Sequence, residues 1–323
     1  MSPSIRTVVA DRGDAGVRLD RVLRRHLTGV DAATRTRVQA WIAGGQVTVN
    51  GAPVRRVSRR AACGDVLAVV VPDPAPRRAM LAEPAPLAIL FEDDHLLAID
   101  KPAGVVVHPS YRHATGTLMN ALLFHGRGWP AGQRPSIVGR LDKLTSGIVL
   151  VAKTRDAHAA LQRSGRHMAK DYLAVVYGRV NAVRGAIDLR LALATRDRRH
   201  VVASSTSGAQ SLTEFERVAR APARRAGLAL LRCRLITGRR HQIRVHLAAR
   251  GWPIVGDPVY GERRWMQIED PMLASALRAF PRQALHAHRI AFTHPITGEV
   301  VRIEAPVPSD LAALIELAGL ARH

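Results

Sequence analysis

The feature that most constrains this chain is a proline-rich segment in its first third. Residues 72–86 read PDPAPRRAMLAEPAP, with five prolines and almost no periodic apolar pattern. Proline has no backbone N–H and a fixed φ, so this segment cannot continue a helix or a sheet. In a chain of 323 residues we therefore predict a linker at 73–86, between a small unit at 16–72 and a large one at 87–310, with a C-terminal helix or tail at 311–323.

The small unit has the pattern of two helices followed by a hairpin. Apolar residues from Leu19 to Leu27 recur at helical spacing, and Thr34 can cap a second helix that stops at Gly44–Gly45. Alternating apolar residues around Asn50–Gly51 predict a β-hairpin. We interpret its arginines as a basic rim for nucleic acid, with a merely solvated face as the alternative; they are Arg35, Arg37, Arg55, Arg56 and Arg59.

The larger unit mixes short strands and helices in no regular order. The apolar run Ile148–Ala152 predicts a buried strand, Val105–Val107 reads as a short strand, and Ala157–Met168 reads as a helix. Regular βαβ spacing is missing, so we predict an α+β fold with a mixed, mostly antiparallel sheet, preceded by the small α+β unit.

The charge of the chain points to a polyanionic partner. Lys and Arg number 48 against 26 Asp and Glu, a formal net charge of +22. The arginines are spread through segments with folded patterns, which favours nucleic acid over a membrane surface, although an Arg-rich composition of the proteome could supply part of the excess. No apolar run is long enough to span a bilayer, and the two cysteines lack a Cys-x-x-Cys partner. We expect a cytoplasmic protein with no metal.

One short motif places a carboxylate between two cations. In Gly139–Gly147 (GRLDKLTSG), Asp142 lies between Arg140 and Lys143, directly before the apolar run. The flanking glycines let the backbone turn and let another molecule approach closely. The pattern can present one ionised carboxylate at the rim of a sheet, although for the motif in isolation a charged turn before a core strand is the favoured interpretation.

Two resemblances give these patterns a meaning. Residues 18–71, with RLDRVL and IAGGQVTVNG, resemble an S4 RNA-binding domain. From about Leu87 to Pro306 the chain resembles the RluA family of pseudouridine synthases. The motifs that carry this second likeness are DKPAG at 100–104, GRLD at 139–142, KDY at 170–172, TGRRHQIRVH at 237–246 and GDPVYG at 256–261.

The second resemblance implies that the protein isomerises uridine in RNA to pseudouridine without a cofactor. Asp142 then corresponds to the catalytic aspartate, Arg244 to the cation that pairs with it in two-point geometry, and Tyr172 to the tyrosine on which a flipped uracil stacks. RNA contacts are expected from Arg140, Arg239, Arg240 and His241. The S4-like unit favours large-subunit (23S-type) ribosomal RNA, with tRNA second, and we expect a monomer.

Other classes of protein fit the sequence less well. A glycosidase needs a second carboxylate, and the candidate Asp257 reads as part of a turn. A non-catalytic RNA-binding or ribosome-assembly protein would explain the charge and the small unit equally well. It would have no reason to keep Asp142, Tyr172 and Arg244 together, so the enzyme is the favoured interpretation.

Overall fold

The computed structural model describes residues 4–28, 30, 33–71, 80–110, 113–163, 168–195, 197, 200–221 and 227–321. The chain divides into two compact units, Met1–Ala79 and Met80–His323. Half of the predicted linker, 73–79, lies outside the described residues, and the other half, 80–86, contains neither helix nor strand. No helix in the described part of the chain has both the length and the apolar character needed to cross a membrane.

The first unit is a small sheet with two helices. The sheet has the strand order β1-β4-β2-β3, with every neighbouring pair antiparallel. Its elements are β1 (Ser4–Val9), α1 (Leu19–His26), α2 (Arg35–Ala43), β2 (Val47–Val49), β3 (Ala52–Val54) and β4 (Val66–Val71).

Local sequence signals account for much of this unit. The Thr34 side chain accepts a hydrogen bond from the Arg37 N–H and caps α2, as predicted. Asn50 and Gly51 both have positive φ, 53° and 84°, which is the geometry of the tight turn that joins two twisted strands. The predicted hairpin of β2 and β3 is confirmed. The core behind it is apolar and includes Leu19, Leu23 and Ile42, each 0% exposed.

The second unit is built on one large sheet, whose described strands follow the order β11-β10-β12-β13-β9-β14-β8-β6-β5, with β15 beside β14 and β7 beside β8. The strands are β5 (Ala88–Glu92), β6 (Leu96–Lys101), β7 (Ser136–Val138), β8 (Ser146–Ala152), β9 (Ala169–Tyr177), β10 (Arg184–Leu193), β11 (Val201–Ser204), β12 (Ala209–Arg220), β13 (Leu228–Leu235), β14 (Leu285–Thr293) and β15 (Val300–Glu304). The helices are α3 (Leu118–His125), α4 (Arg155–Arg163), α5 (Gln242–Ala249), α6 (Pro271–Ala279) and α7 (Ser309–Leu317).

The sheet is mixed and mostly antiparallel, as predicted. Among the described strands, β8 and β14 form the parallel pair, and the other neighbours run antiparallel. All seven residues of β8 are buried, which confirms the strand predicted from its continuous apolar run. Gly147 is required at the parallel contact, because a Cβ there would lie 2.3 Å from the Ala287 carbonyl oxygen.

Two local predictions are wrong. Val105–Val107 is not a strand; the carbonyls of Val106 and Val107 instead accept the first N–H groups of α3, from Leu118 and Met119. The helix predicted to reach Met168 is described over Arg155–Arg163. Met168 lies outside any helix, directly before β9, and its side chain packs into the core beside Leu161, so its apolar character reflects burial.

The core of the second unit fixes the elements that carry the candidate site. β9 and β13 share one apolar cluster with α5, α6 and α7, in which Leu247, Leu273 and Leu311 are each 0% exposed. The C-terminal helix therefore packs on the sheet. The start of β8, the first half of β9 and the start of α5 are held at one region of the sheet, where the predicted catalytic residues meet.

Candidate active site

Asp142 lies in the loop between β7 and β8. The loop turns at Gly139, with φ of 86°, and closes through a hydrogen bond from the Thr145 N–H to the Asp142 carbonyl oxygen, at 3.1 Å. The Asp142 side chain is 21% exposed. The carboxylate is thus close to the protein interior and still reachable from outside.

Arg244 binds Asp142 from the first turn of α5. Its Nη1 donates to Asp142 Oδ2 at 2.8 Å, across 102 residues of sequence. The guanidinium is buried, with 5% of its side chain exposed. The structure therefore brings together the two residues that the motifs suggested. It corrects the predicted geometry, since Asp142 receives a single hydrogen bond from this arginine.

The two-point pair belongs to Asp257, which sequence reasoning had assigned to a turn. Arg244 Nε and Nη2 donate to its two oxygens at 2.6 and 2.7 Å, and its side chain is 0% exposed. The Asp257 carboxylate also accepts the N–H groups of Val259 and Tyr260. Burial would raise the pKa of Asp257, but these bonds and the charge of Arg244 outweigh it and hold the pKa below its ordinary value.

The same contacts keep the arginine charged. Burial lowers the pKa of Arg244, but its hydrogen bonds and proximity to Asp257, with Asp142 contributing further, raise the pKa well above the ordinary value. A buried cation that is held by one carboxylate and offered to a second gives Asp142 a fixed positive neighbour. The only sequence signal for Asp257 was its place in the GDPVYG motif.

His241 forms the other wall beside Asp142. It precedes α5 with φ of 55°, a left-handed conformation that is uncommon for residues other than glycine. Its Nε2 lies 3.7 Å from Asp142 Oδ1, and its Nδ1 lies 2.8 Å from the Tyr260 hydroxyl. Burial, reinforced by the charges of Arg244 and Arg240, lowers the pKa of His241 to about 4 despite the opposing effect of Asp142.

Tyr172 lies on β9, buried to 7% exposure. It lines a small cavity of about 60 Å³ together with Asp142, Arg244 and Leu285. Burial, and secondarily the charge of Asp142, raises the pKa of its phenol well above the ordinary value, so the hydroxyl keeps its proton at neutral pH. A larger cleft of about 620 Å³ adjoins Asp142 and is lined by both polar and apolar side chains. The two cavities share Asp142, His241 and Arg244.

A buried lysine holds the backbone beneath Asp142. Lys101, at the end of β6, is 0% exposed. Its Nζ donates to the carbonyl oxygens of Pro102, Val105 and Lys143, at 2.8, 3.0 and 3.2 Å. The last of these carbonyls belongs to the residue after Asp142. Burial lowers the pKa of Lys101 to about 8, and the nearby Arg282 lowers it further while Asp142 opposes both.

The predicted RNA-contacting residues occupy different places. Arg140 and Arg240 are exposed and line the larger cleft, and Arg239 is exposed and lines the smaller one. His241 is only 12% exposed and belongs to the wall around Asp142. The remaining five arginines lie in the first unit, where Arg37 is half-buried and the others are exposed; these are Arg35, Arg55, Arg56 and Arg59.

The described residues also contain one cluster with metal-ligand spacing, away from this site. Asp11, Asp14 and His26 of the first unit bring their ligand atoms within 4.8 Å of one another. The cluster already has partners, because Arg25 donates to both carboxylates and His26 Nε2 lies 2.7 Å from Asp14. We assign it a structural role.

This geometry defines a site with one reachable carboxylate, a buried arginine that fixes it, and an aromatic wall. Such a site can act on a carbon or a proton of a substrate bound in the cleft. A hydrolytic glycosidase of the usual kind would need two reachable carboxyl groups, and Asp257 is fully occupied by Arg244 and backbone N–H groups.

Comparison with known proteins agrees with this picture. Residues 95–249 match the family model described as RNA pseudouridylate synthase. The chain is 40% identical over 288 residues, 88% of its length and 89% of the relative's, to an uncharacterised RNA pseudouridine synthase (YlyB) of Bacillus subtilis. It is also 40% identical to the ribosomal large subunit pseudouridine synthase D of Xanthomonas campestris, with 98% of this chain and 93% of that protein covered.

Solved structures show the same fold. Human RNA pseudouridylate synthase domain containing 1 superposes with a TM-score of 0.54 at 26% identity, covering 72% of this chain and 89% of that one. The chain therefore belongs to the RluA-type family of RNA pseudouridine synthases. It is an isomerase, and its substrate is uridine in RNA.

Proposed function

We propose that this enzyme converts uridine to pseudouridine in large-subunit ribosomal RNA, with Asp142 as the group that acts on the ribose. In this reaction the N1–C1′ bond breaks, the base turns, and C5 bonds to C1′. The proton on C5 is lost and N1 gains one, so no oxidant and no water are consumed. The single observation that carries the proposal is the position of Asp142. Its carboxylate accepts a hydrogen bond from Arg244 at 2.8 Å and lines a cleft of about 620 Å³.

The roles of the neighbouring residues follow from their contacts. Arg244 offsets the desolvation of the Asp142 carboxylate, whether that carboxylate attacks C1′ or removes a ribose proton. Tyr172 offers an aromatic ring beside that carboxylate, on which a base removed from its stack can lie. Its raised pKa makes it unsuitable as a base, because the phenol holds its proton.

Cationic side chains around the cleft can bind the phosphates on either side of the target nucleotide. Unstacking the target nucleotide costs on the order of a few kcal/mol, which contacts to the flanking phosphates can offset. Arg140, Arg239 and Arg240 are exposed at the cavities that surround Asp142. We assign these three arginines to the flanking phosphates.

The choice of large-subunit ribosomal RNA rests on the relatives. The proteins of Xanthomonas campestris and Pseudomonas aeruginosa, 40% and 39% identical, are named as ribosomal large subunit enzymes. The test is to treat transcripts of 23S-type RNA and of tRNA with purified enzyme and to map pseudouridine in each. We expect modification at discrete uridines of the ribosomal transcript. Modification confined to tRNA would contradict the choice of substrate while leaving the activity intact.

We further propose that the first unit is an S4-like RNA-binding domain, with 73–86 as linker, and that the enzyme works as a monomer in the cytoplasm. Two short helices lie over a small sheet in this unit, with Arg35 exposed on α2 and Arg55, Arg56 and Arg59 exposed in the segment after β3. The test is to replace the five arginines predicted to contact RNA by glutamine in the full chain. These are Arg35, Arg37, Arg55, Arg56 and Arg59.

These changes should weaken RNA binding and reduce its salt dependence while turnover of saturated enzyme stays the same. The control variant loses the same five charges in the second unit. It replaces exposed arginines that do not line the cavities around Asp142, namely Arg134, Arg155, Arg163, Arg263 and Arg278. Equal weakening in both variants would mean that only the net charge matters, and the domain assignment would fail.

A further inference from the structure

His241 and Tyr260 form a contact that the roles proposed above leave unused. The Tyr260 hydroxyl oxygen accepts a hydrogen bond from the N–H of Val201, at 2.9 Å. The same hydroxyl lies 2.8 Å from Nδ1 of His241. Because Val201 can only donate, the phenolic proton is free for another acceptor, and Nδ1 is the acceptor within reach among the described hydrogen bonds.

This assignment fixes the tautomer of the imidazole. If Nδ1 accepts the phenolic proton, the ring proton of a neutral histidine must be on Nε2. Nε2 is the atom that faces Asp142 Oδ1, at 3.7 Å. The electrostatics agree independently, since the opposite tautomer would direct a nitrogen lone pair at a carboxylate oxygen.

The backbone supports a demanding placement. His241 has φ of 55° and ψ of 19° where α5 begins, and its side chain makes no capping bond. A left-handed backbone conformation at a histidine costs on the order of 1 kcal/mol, and such a conformation persists where surrounding contacts hold the residue in place. Here those contacts are the hydroxyl of Tyr260 and the edge-to-face packing of the two rings, 5.6 Å apart.

Tyr260 also contacts the arginine of the site. The Arg244 guanidinium lies over its ring at 5.1 Å, and the Tyr260 N–H donates to Asp257. The contacts therefore close a ring around the carboxylate, in which Arg244 holds Oδ2 and His241 faces Oδ1. Both oxygens of Asp142 have a defined neighbour.

We propose that His241 is a positioning residue for the isomerisation, a neutral imidazole oriented by Tyr260 whose Nε2–H dipole is directed at Oδ1 of Asp142 from 3.7 Å, beyond hydrogen-bond distance. The proposal deepens the proposed function and rests on it. This role requires that the imidazole of His241 be uncharged. A protonated imidazole would form a second ion pair with Asp142 and make the carboxylate a weaker nucleophile and base. The charged and titratable groups that face the ring are Asp142, Asp257, Arg240, Arg244 and Tyr260.

The first test is Tyr260→Phe, which removes the hydroxyl and keeps the aromatic ring. We expect kcat to fall about tenfold or more, because small misplacements of a reacting group are costly. KM for the RNA should change less than about threefold. The matched control is Tyr177→Phe, the same chemical change at a buried tyrosine that lines neither cavity, and its kcat should equal that of the wild type.

A spectroscopic readout separates positioning from a structural role. In protein with ¹⁵N-labelled histidine, the His241 signal, assigned by its loss in His241→Asn, should show a neutral Nε2–H tautomer at pH 7. In Tyr260→Phe it should shift to a mixture of tautomers. A wild-type signal from the Nδ1–H tautomer, or from imidazolium, would overturn the proposal.

His241→Asn tests the histidine itself. Asparagine tolerates the left-handed conformation, so the variant should fold with an unfolding temperature no lower than that of the wild type. Its side chain is too short to reach both neighbours, and we expect kcat to fall about tenfold or more. Wild-type turnover in both His241→Asn and Tyr260→Phe would refute the positioning role. An inactive wild-type enzyme on all RNAs would instead refute the proposed function.

Discussion

Arg244 and Asp257 form a two-point ion pair, with bonds of 2.6 and 2.7 Å, in which the carboxylate is completely buried. The third nitrogen of the same guanidinium, Nη1, donates to Asp142 Oδ2 at 2.8 Å. Asp257 therefore fixes the direction from which the cation approaches the proposed catalytic group. Asp257 lines neither cavity, and it orients the arginine that holds the proposed catalytic carboxylate.

The first prediction concerns that buried carboxylate. Asp257→Asn keeps the size of the side chain but removes its charge, leaving Arg244 partly uncompensated. We expect a loss of about 3–5 kcal/mol in the free energy of unfolding and a fall in kcat of about tenfold to a hundredfold. Urea unfolding and single-turnover kinetics measure the two effects.

Glu304→Gln is the control for Asp257→Asn. Glu304 also makes two bonds to an arginine, Arg289, but that pair is about half exposed. Its loss should cost no more than about 1 kcal/mol and leave turnover unchanged. Equal effects of the two substitutions would show that burial of the Arg244 pair has no special weight.

The second prediction concerns the aromatic wall. Tyr172→Leu keeps an apolar side chain on β9 but removes the face on which a base can stack. Base–aromatic stacking is worth about 1–3 kcal/mol, so kcat/KM should fall about tenfold to a hundredfold. The comparison is steady-state kinetics with one RNA transcript. A variant that keeps wild-type kcat/KM would remove Tyr172 from the site.

The third prediction concerns the lysine beneath Asp142. Lys101→Met fills a similar volume but leaves the carbonyls of Pro102 and Val105 without this donor, which should cost about 2–3 kcal/mol of stability. The Thr145 amide, which closes the Asp142 loop, should exchange its hydrogen faster. Lys143→Met, the same change at an exposed lysine, should alter stability by less than about 0.5 kcal/mol. Unchanged exchange at Thr145 in Lys101→Met would contradict the account.

The fourth prediction concerns stability in acid. His246 and His286 are each 0% exposed, and burial lowers the pKa of each to about 4. In the unfolded chain they titrate near 6.5, so between pH 6.5 and 4 the unfolded state binds more protons, and stability falls as the pH falls. Between pH 6.5 and 5 each histidine should remove about 1.5 kcal/mol.

Urea midpoints across this pH range test the fourth prediction. Replacing His246 or His286 by glutamine should flatten the curve, since that titration is removed from the unfolded state. A slope that is the same in the wild type and in both variants would show that these histidines are not the cause.

Local signals predicted the parts of the fold that local physics controls. The Asn50–Gly51 hairpin, the Thr34 cap and the buried strand β8 depend on residues within a few positions of one another. The strand prediction for Val105–Val107 failed because the carbonyls of Val106 and Val107 accept hydrogen bonds from the start of α3. A short apolar run does not reveal such a contact. The apolar side chain of Met168 likewise led to a helix prediction that was too long, because Met168 itself is not helical.

The candidate site was predictable in its members but not in its connections. The motifs suggested Asp142, Tyr172 and Arg244, and the structure brings all three to one cavity. The division of Arg244 between two carboxylates depends on contacts 13 and 102 residues apart in sequence. The same holds for His241: its predicted RNA contact did not reveal that the ring faces Asp142 Oδ1 and lies beside the Tyr260 hydroxyl.

The most direct test of the central claim is to map pseudouridine in total RNA from a host that lacks this protein, complemented with the wild type or with Asp142→Asn. Carbodiimide labelling and reverse-transcription stops give the modified positions. We predict that discrete sites in large-subunit ribosomal RNA return with the wild type and stay absent with Asp142→Asn, although that variant is folded and binds RNA. Restoration of the same sites by Asp142→Asn would contradict the role of this carboxylate.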